Sequence, residues 1–292
     1  MARPEKLEAF FAELGNRTRG DVLSDRMSRF LYSTDASMYR MEPLGVLVPR
    51  SREDVDAAIE LARDWDVPVL ARGGGSSLAG QTVAEALVID FTKHVDAILD
   101  FNIEARTVTV EPGIVLDVLN DYLSAHGLMV GPDPASSNRA TIGGMVANNA
   151  TGTHSILYGS VVDHVVQTEV ILADGSTVTL SNLDAAQWGE RTRRSTSEGR
   201  LYREIDSVLE QNRETIERDT PRHWRRSGGY RLERLIGNGK RNLSALLCGS
   251  EGTLAVLKSV TLSLVERPRK TGLGIVHFRS RMEALQAVPE IL

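Results

Sequence analysis

Val67-Pro68-Val69-Leu70-Ala71-Arg72-Gly73-Gly74-Gly75-Ser76-Ser77-Leu78-Ala79-Gly80-Gln81 is the stretch on which the reading of this chain turns. A short apolar strand runs into three consecutive glycines. These leave no Cβ to block a ligand and reach φ > 0, so successive N–H groups can converge on an anion. A diphosphate requires that combination of donors and close approach. The spacing fails G-x-G-x-x-G and no Lys-Ser/Thr pair follows, so neither common nucleotide-loop signature applies. Alone, the loop is equally compatible with a flexible link.

Working outward, Gly45-Val46-Leu47-Val48 reads as a buried strand. Ser51 then caps a helix, with Asp54 as a near miss of the capping box, and Val55, Ala58, Ile59 and Ala62 form its inner face. Strand, helix and strand so close together predict a right-handed βαβ unit, with the glycine loop at the carboxyl end of its second strand. Downstream the texture changes. Leu87–Asp90 is a short strand, Asn102–Ala105 joins a hairpin, Leu116 to about Ala125 is a helix, and Asp174-Gly175 marks a two-residue hairpin turn. A long strand spans Leu254–Val265. The fold class is therefore α+β: a small parallel βαβ subdomain followed by a larger, mainly antiparallel sheet with flanking helices. Leu7, Phe10, Phe11 and Leu14 predict a peripheral N-terminal helix. Residues 182–242 read as polar and irregular around one helix at about 198–218, with a basic cluster, Arg222-His223-Trp224-Arg225-Arg226, taken as a solvated loop.

With 292 residues the chain can bury a large core. Its net charge of −5 gives no reason to propose a nucleic-acid partner. Cys248 is the only cysteine, which rules out an intrachain disulfide and a Cys-ligated iron–sulfur cluster within this sequence. The six histidines show no pair at metal-ligand spacing, so no metal site is expected. No run of about 18 apolar residues and no secretory pattern occur, and a soluble cytoplasmic chain is the default expectation.

Two further glycine constellations accompany the first. In Gly131-Pro132-Asp133-Pro134-Ala135-Ser136-Ser137-Asn138-Arg139-Ala140-Thr141-Ile142-Gly143-Gly144-Met145-Val146-Ala147-Asn148-Asn149-Ala150-Thr151-Gly152, Thr141 can cap a helix. Bare N–H groups in that helix's first turn would attract an anion. Gly249-Ser250-Glu251-Gly252-Thr253-Leu254 enters the long strand, and its spacing is not that of a serine-hydrolase elbow.

Together with Tyr158-Gly159, these three segments resemble the FAD-binding domain of the vanillyl-alcohol oxidase / p-cresol methylhydroxylase (PCMH-type) family, more narrowly its FAD-linked D-lactate, glycolate and D-2-hydroxyglutarate dehydrogenase branch. The resemblance runs from about residue 40 to 268 and implies the following. FAD lies between a small subdomain (41–95) and a larger one (96–268), after an N-terminal helical segment (1–40). Arg72, Gly73, Gly74, Gly75, Ser76 and Ser77 hold the diphosphate. Pro132, Asp133, Ser136, Thr141, Ile142, Gly143 and Gly144 line the diphosphate, ribitol and flavin region, and Asn148, Asn149, Ala150 and Gly152 continue that wall. Glu251, Gly252 and Val256 close the third side, with the backbone at 256 as an adenine contact, although Glu251 is also readable as a cap for its own loop. Some members attach flavin to a histidine at the position of Ser76, so FAD is expected to be non-covalent here. Gly74→Val and Gly144→Val are each expected to abolish flavin retention in a soluble protein.

The resemblance further implies hydride transfer from a 2-hydroxy acid to flavin N5. The base and carboxylate ligands are expected mainly from a cap domain of which residues 269–292 (a strand at 271–278, a helix at 282–292) are the start. An iron–sulfur domain or subunit and an unidentified electron acceptor are further expected partners of the branch. Within this sequence His154 is the local candidate for chemistry, and Arg225 or Arg226 for a substrate carboxylate. The alternatives are a flavin-binding subunit completed by a partner chain, an alditol or aldonolactone oxidase, or an alkylglycerone-phosphate synthase.

Overall fold

The computed structural model describes residues 4–223, 225–226, 228–237 and 239–291; Trp224 of the basic cluster and Leu292 of the expected last helix lie outside the described residues. The first unit comprises α1 (Pro4–Arg17), β1 (Asp21–Leu23), α2 (Arg26–Leu31), β2 (Gly45–Val48), α3 (Arg52–Trp65), β3 (Val69–Arg72) and β4 (Leu87–Asp90). Its sheet runs β1-β2-β4-β3, with β2, β4 and β3 parallel and β1 an antiparallel edge. Every residue of β2 and β4 is buried, which explains their apolar runs, interrupted only by Asp90 at the end of β4. β4 inserts between the two strands of the βαβ unit, which leaves β3 at the edge of the sheet with the glycine loop at its carboxyl end.

The N-terminal segment is neither peripheral nor only helical, which corrects the expectation for residues 1–40. It supplies β1, and Phe10 and Leu14 of α1 are fully buried in the small subdomain's core. Phe10 meets Trp65 edge-on at 6.1 Å, and the ring of Phe11 occupies the space a Cβ on Gly45 would need. Burial of each such side chain stabilises by about 1.5–3 kcal/mol, which a solvent-facing helix would forgo. Ser51 sits at the start of α3 without a side-chain cap bond. Asp54, buried, instead accepts the N–H groups of Arg19 and Arg50, both at 2.8 Å, and so anchors the segment before α3 to its first turn.

The second unit comprises β5 (Ile98–Asn102), β6 (Thr107–Val110), α4 (Leu116–Ser124), β7 (Leu128–Met129), α5 (Ile142–Asn148), α6 (Ser155–Tyr158), β8 (Val165–Ile171), β9 (Thr177–Leu183), α7 (Ala185–Arg193), α8 (Ser197–Asp219), β10 (Arg241–Asn242), α9 (Ser244–Leu247), β11 (Val256–Ser263) and β12 (Val265–Glu266). Six strands form one antiparallel sheet, β10-β9-β8-β11-β6-β5, and β12 pairs with β7. The region 182–242 is more ordered than its polarity suggests. It holds α7 as well as α8, joined by buried Trp188 and Tyr202 in edge-on contact at 4.7 Å. These two aromatics, with Leu209 and Ile216 of α8, seat the helices on the core. Residues 271–278 form no strand, a second correction; their apolar side chains Leu273 and Ile275 are exposed and the segment pairs with no strand among the described residues. α10 (Arg281–Ile291) follows.

The two units share a boundary. Ile171 and Val256 from the large sheet pack into the small subdomain's core. Lys258 pairs with Asp56 at 2.8 Å, and Arg52 reaches Glu169 at 3.3 Å.

Candidate functional site

A cleft of about 690 Å³ opens where the loop after β3, the helix α5 and the loop before β11 meet. In the first loop, the amides of Gly73, Gly74, Gly75, Ser76, Ser77 and Leu78 donate to no other described residue, although they line the cleft. Unpaired N–H groups in succession are costly unless solvent or a ligand meets them. Ser77 Oγ is buried and also without a partner among the described residues. Open amides in succession are what an anion cradle requires, but the glycines work differently from the sequence expectation. A Cβ on Gly73 would lie 2.2 Å from Thr141 Oγ1, and one on Gly74 would lie 2.1 Å from the Arg139 carbonyl oxygen. Bareness there lets the loop lie against residues 139–141, and of the three consecutive glycines only Gly75, at φ 61°, needs glycine for its own conformation.

Arg72 lines the cleft, yet its guanidinium is occupied. It donates to the carbonyls of Thr34 (2.8 Å), Thr82 (2.9 Å) and Tyr32 (3.3 Å) and stacks over the Tyr32 ring. Burial pulls its pKa below the ordinary arginine value, offset in part by Asp90. Its role is to hold the 32–34 segment against the loop.

The second constellation departs further from expectation. Thr141 caps α5, accepting from Gly144 N at 3.3 Å. Ile142 N donates to Ile114 O and Gly143 N to Pro112 O, while Met145 N returns to Thr141 O. The first-turn amides are therefore spent inside the protein, and the helix N-terminus offers no bare donors. Ile142 is core, and a Cβ on Gly143 would strike Pro112. Gly144 alone faces the cleft openly: its added Cβ would meet only Thr141 Oγ1, at 3.2 Å. At the far end Asn149 takes the left-handed conformation (φ 47°), accepts Val162 N through Oδ1 and leaves Nδ2 buried and unpartnered. Asn148, Asn149, Ala150 and Ser136 all line the cleft.

The third loop docks on α5. Gly249 N donates to Val146 O and Glu251 N to Ala147 O, which satisfies carbonyls at the end of that helix. The Glu251 side chain does not cap its own loop; it accepts from Gln81 Nε2 at 3.4 Å, joining first loop to third. Glu251 and Gly252 line the cleft. Val256 does not: its side chain packs on the small core, while Ala255 and Leu257 face the cleft.

Pro132, Asp133, Gly152 and His154 also lie off the cleft wall. Pro132 borders a small void under α5 with His164. Asp133 accepts His154 N at 3.0 Å and pairs with His154 Nδ1, and a Cβ on Gly152 would collide with the Asp133 backbone. These residues brace one another, and His154, at the start of α6, is committed to that brace. Sequence reasoning missed the apolar wall of Phe91, Met145, Leu247 and Leu257, because ordinary core residues carry no motif. The Cys248 thiol beside the third loop is buried, which pushes its pKa up to about 12 and keeps it a protonated, unreactive group. No group of three or more metal-ligating side chains occurs among the described residues.

The cleft fits FAD on its own evidence: six open amides for a diphosphate, an orphaned hydroxyl and amide for polar atoms, and an apolar wall for a ring. Residues 43–181 match the family described as an FAD binding domain. The chain is 33% identical over 275 residues to a D-2-hydroxyglutarate dehydrogenase of Pantoea ananatis, covering 92% of this chain and 27% of that protein. It is 28% identical to the glycolate oxidase subunit GlcD of Bacillus subtilis, over 90% of this chain and 46% of that one. A mitochondrial cytochrome-linked D-lactate dehydrogenase of Saccharomyces cerevisiae is 26% identical, over 93% and 39%. A solved alkyldihydroxyacetonephosphate synthase shares the fold with a TM-score of 0.62 at 19% identity, covering 92% of this chain and 42% of its own. The fold and cleft define a flavin-dinucleotide-binding protein. Residues 43–181 match an FAD binding domain, and the cofactor of that domain is FAD. It spans about a quarter of the length of the D-2-hydroxyglutarate dehydrogenases it matches.

Proposed function

We propose that this chain is the cofactor platform of a flavin-dependent dehydrogenase for 2-hydroxy acids of the D-2-hydroxyglutarate, D-lactate or glycolate type. The observation that carries the reading is the run of six unpaired amides from Gly73 to Leu78 in the cleft. The names of the relatives support the substrate class. In this reading the six amides bind the diphosphate, Ser77 Oγ donates or accepts one further bond, Asn149 Nδ2 donates one, and Met145, Leu247 and Leu257 exclude water from the ring. Ser76 cannot form a histidyl link, so binding is non-covalent. Bound FAD supplies the hydride acceptor for oxidation at the carbon bearing the hydroxyl. No histidine lines the cleft among the described residues, and His154 is held by Asp133. The proposal therefore assigns the proton acceptor to a cap outside this sequence, and electron transfer to an acceptor or iron–sulfur partner. Cytoplasmic placement belongs to the same proposal; no helix among the described residues is long and apolar enough to cross a membrane.

The test is to load the purified chain with FAD, pass it through a desalting column and read flavin absorbance against protein concentration. Near-equimolar flavin, released on acid precipitation, is expected. A colourless eluate sinks the cofactor assignment. Anaerobic bleaching of the loaded chain, joined to its cap, by one of the three hydroxy acids tests the substrate class.

A further inference from the structure

Arg225 and Arg226 form a wall shared by the cleft and a second cavity of about 510 Å³ beside the end of α8. Arg226 has a side chain only 11% exposed. It donates to Glu233 Oε2 at 2.7 Å, and its Nε is buried with no partner among the described residues. Arg231, 7% exposed, faces the same carboxylate at 3.8 Å and donates to the Arg226 carbonyl. Two nearly buried guanidinium groups thus share one carboxylate. The acidic groups nearby do not restore balance. Asp219, the one acid in the wall of the second cavity, is held by Arg218 through bonds of 2.7 and 2.8 Å, and Asp163 is paired with Arg234 at 2.7 Å. Burial and then Arg226 itself lower the Arg231 pKa below its ordinary value, with Glu233 opposing. The wall carries excess positive charge and an unused donor, and both are relieved by an anion.

We propose that Arg226, assisted by Arg225, is a carboxylate receptor that seats the acid end of a small molecule beside the cofactor. A planar guanidinium fork matches a carboxylate in two parallel hydrogen bonds. A phosphate of the cofactor has the same chemistry, but the first loop already offers six amides for it. The proposal rests on the cofactor reading only for what lies beside the receptor.

The probe is oxalate, which is redox-inert. It is titrated into the FAD-loaded chain, with the flavin difference spectrum as readout, and by calorimetry into the FAD-free chain. Saturable binding is expected, weakened about tenfold by Arg226→Gln and less by Arg226→Lys, which keeps the charge but loses the fork. Flavin affinity is expected to stay within about twofold of wild type, a change well under 1 kcal/mol. No oxalate binding, or equal binding by Arg226→Gln, overturns the proposal. So does loss of FAD in Arg226→Gln, which would give the anion to the cofactor. If that variant does not fold, the exposed Arg225→Gln carries the test: unchanged oxalate affinity overturns the proposal, and about threefold weakening supports it. Calorimetry without FAD keeps the receptor testable even if the chain proves unable to take up flavin.

Discussion

The loop Gly73–Leu78 and the turn Thr141–Met145 look alike in sequence: each is glycine-rich, and each follows a segment that suits an anion site. In the structure they do opposite things with their amides. The first loop leaves six N–H groups without partners among the described residues, while the start of α5 passes its own to Ile114, Pro112 and Thr141. Glycines differ in the same way. At Gly73, Gly74 and Gly143 the missing Cβ makes room for protein, and at Gly144 it makes room in the cleft. A glycine cluster therefore marks close approach; what approaches is settled by the neighbours.

Substitutions can break this contrast. The largest effect is expected at Gly74→Val, where the branched side chain meets the Arg139 carbonyl. Overpacking against backbone should cost about 3 kcal/mol and remove flavin as well, so a melt of the FAD-free chain should fall clearly. An unchanged melting temperature would show that the loop is not seated on residues 139–141. Gly144→Val should do the reverse, raising the FAD Kd at least about 100-fold while the FAD-free chain stays within about 1 kcal/mol of wild type. Retained flavin there would remove Gly144 from the cleft floor. Thr141→Val should lower stability by about 1 kcal/mol through the lost cap, with a smaller effect on FAD affinity than either glycine change. The reverse ranking would restore α5 as a donor site. Ser77→Ala should be the mildest. The orphaned hydroxyl is removed, so the free chain should be unharmed, while FAD binding weakens by about 1 kcal/mol, close to a fivefold rise in Kd. Titration of FAD by quenching of its fluorescence measures the last three on one scale.

Much of the architecture was legible. Unbroken apolar runs at Gly45–Val48 and Leu87–Ile89, the helical face of Val55, Ala58 and Ile59, and the Asp174-Gly175 turn are local signals, and the elements follow them. What failed was local evidence for non-local events. α1 reads as peripheral because nothing nearby shows that Trp65 and Gly45 will receive Phe10 and Phe11. The strand expected at 271–278 has an apolar pattern but pairs with no other strand among the described residues. At the site, the three constellations do converge on one cleft, yet Asp133, Gly152 and His154 turn out to brace each other beside it, and Arg72 serves as a carbonyl clamp.

Residue order alone determined where the backbone is bare, which helices and strands form, and that one cysteine is left unpaired, since each depends on neighbours within a few positions. Tertiary packing decided which amides stay open, which side chains line the cleft rather than brace it, and where positive charge is left over at Arg226. Those outcomes depend on partners distant in sequence, because a hydrogen bond or an ion pair is a contest among all the groups that folding brings within reach.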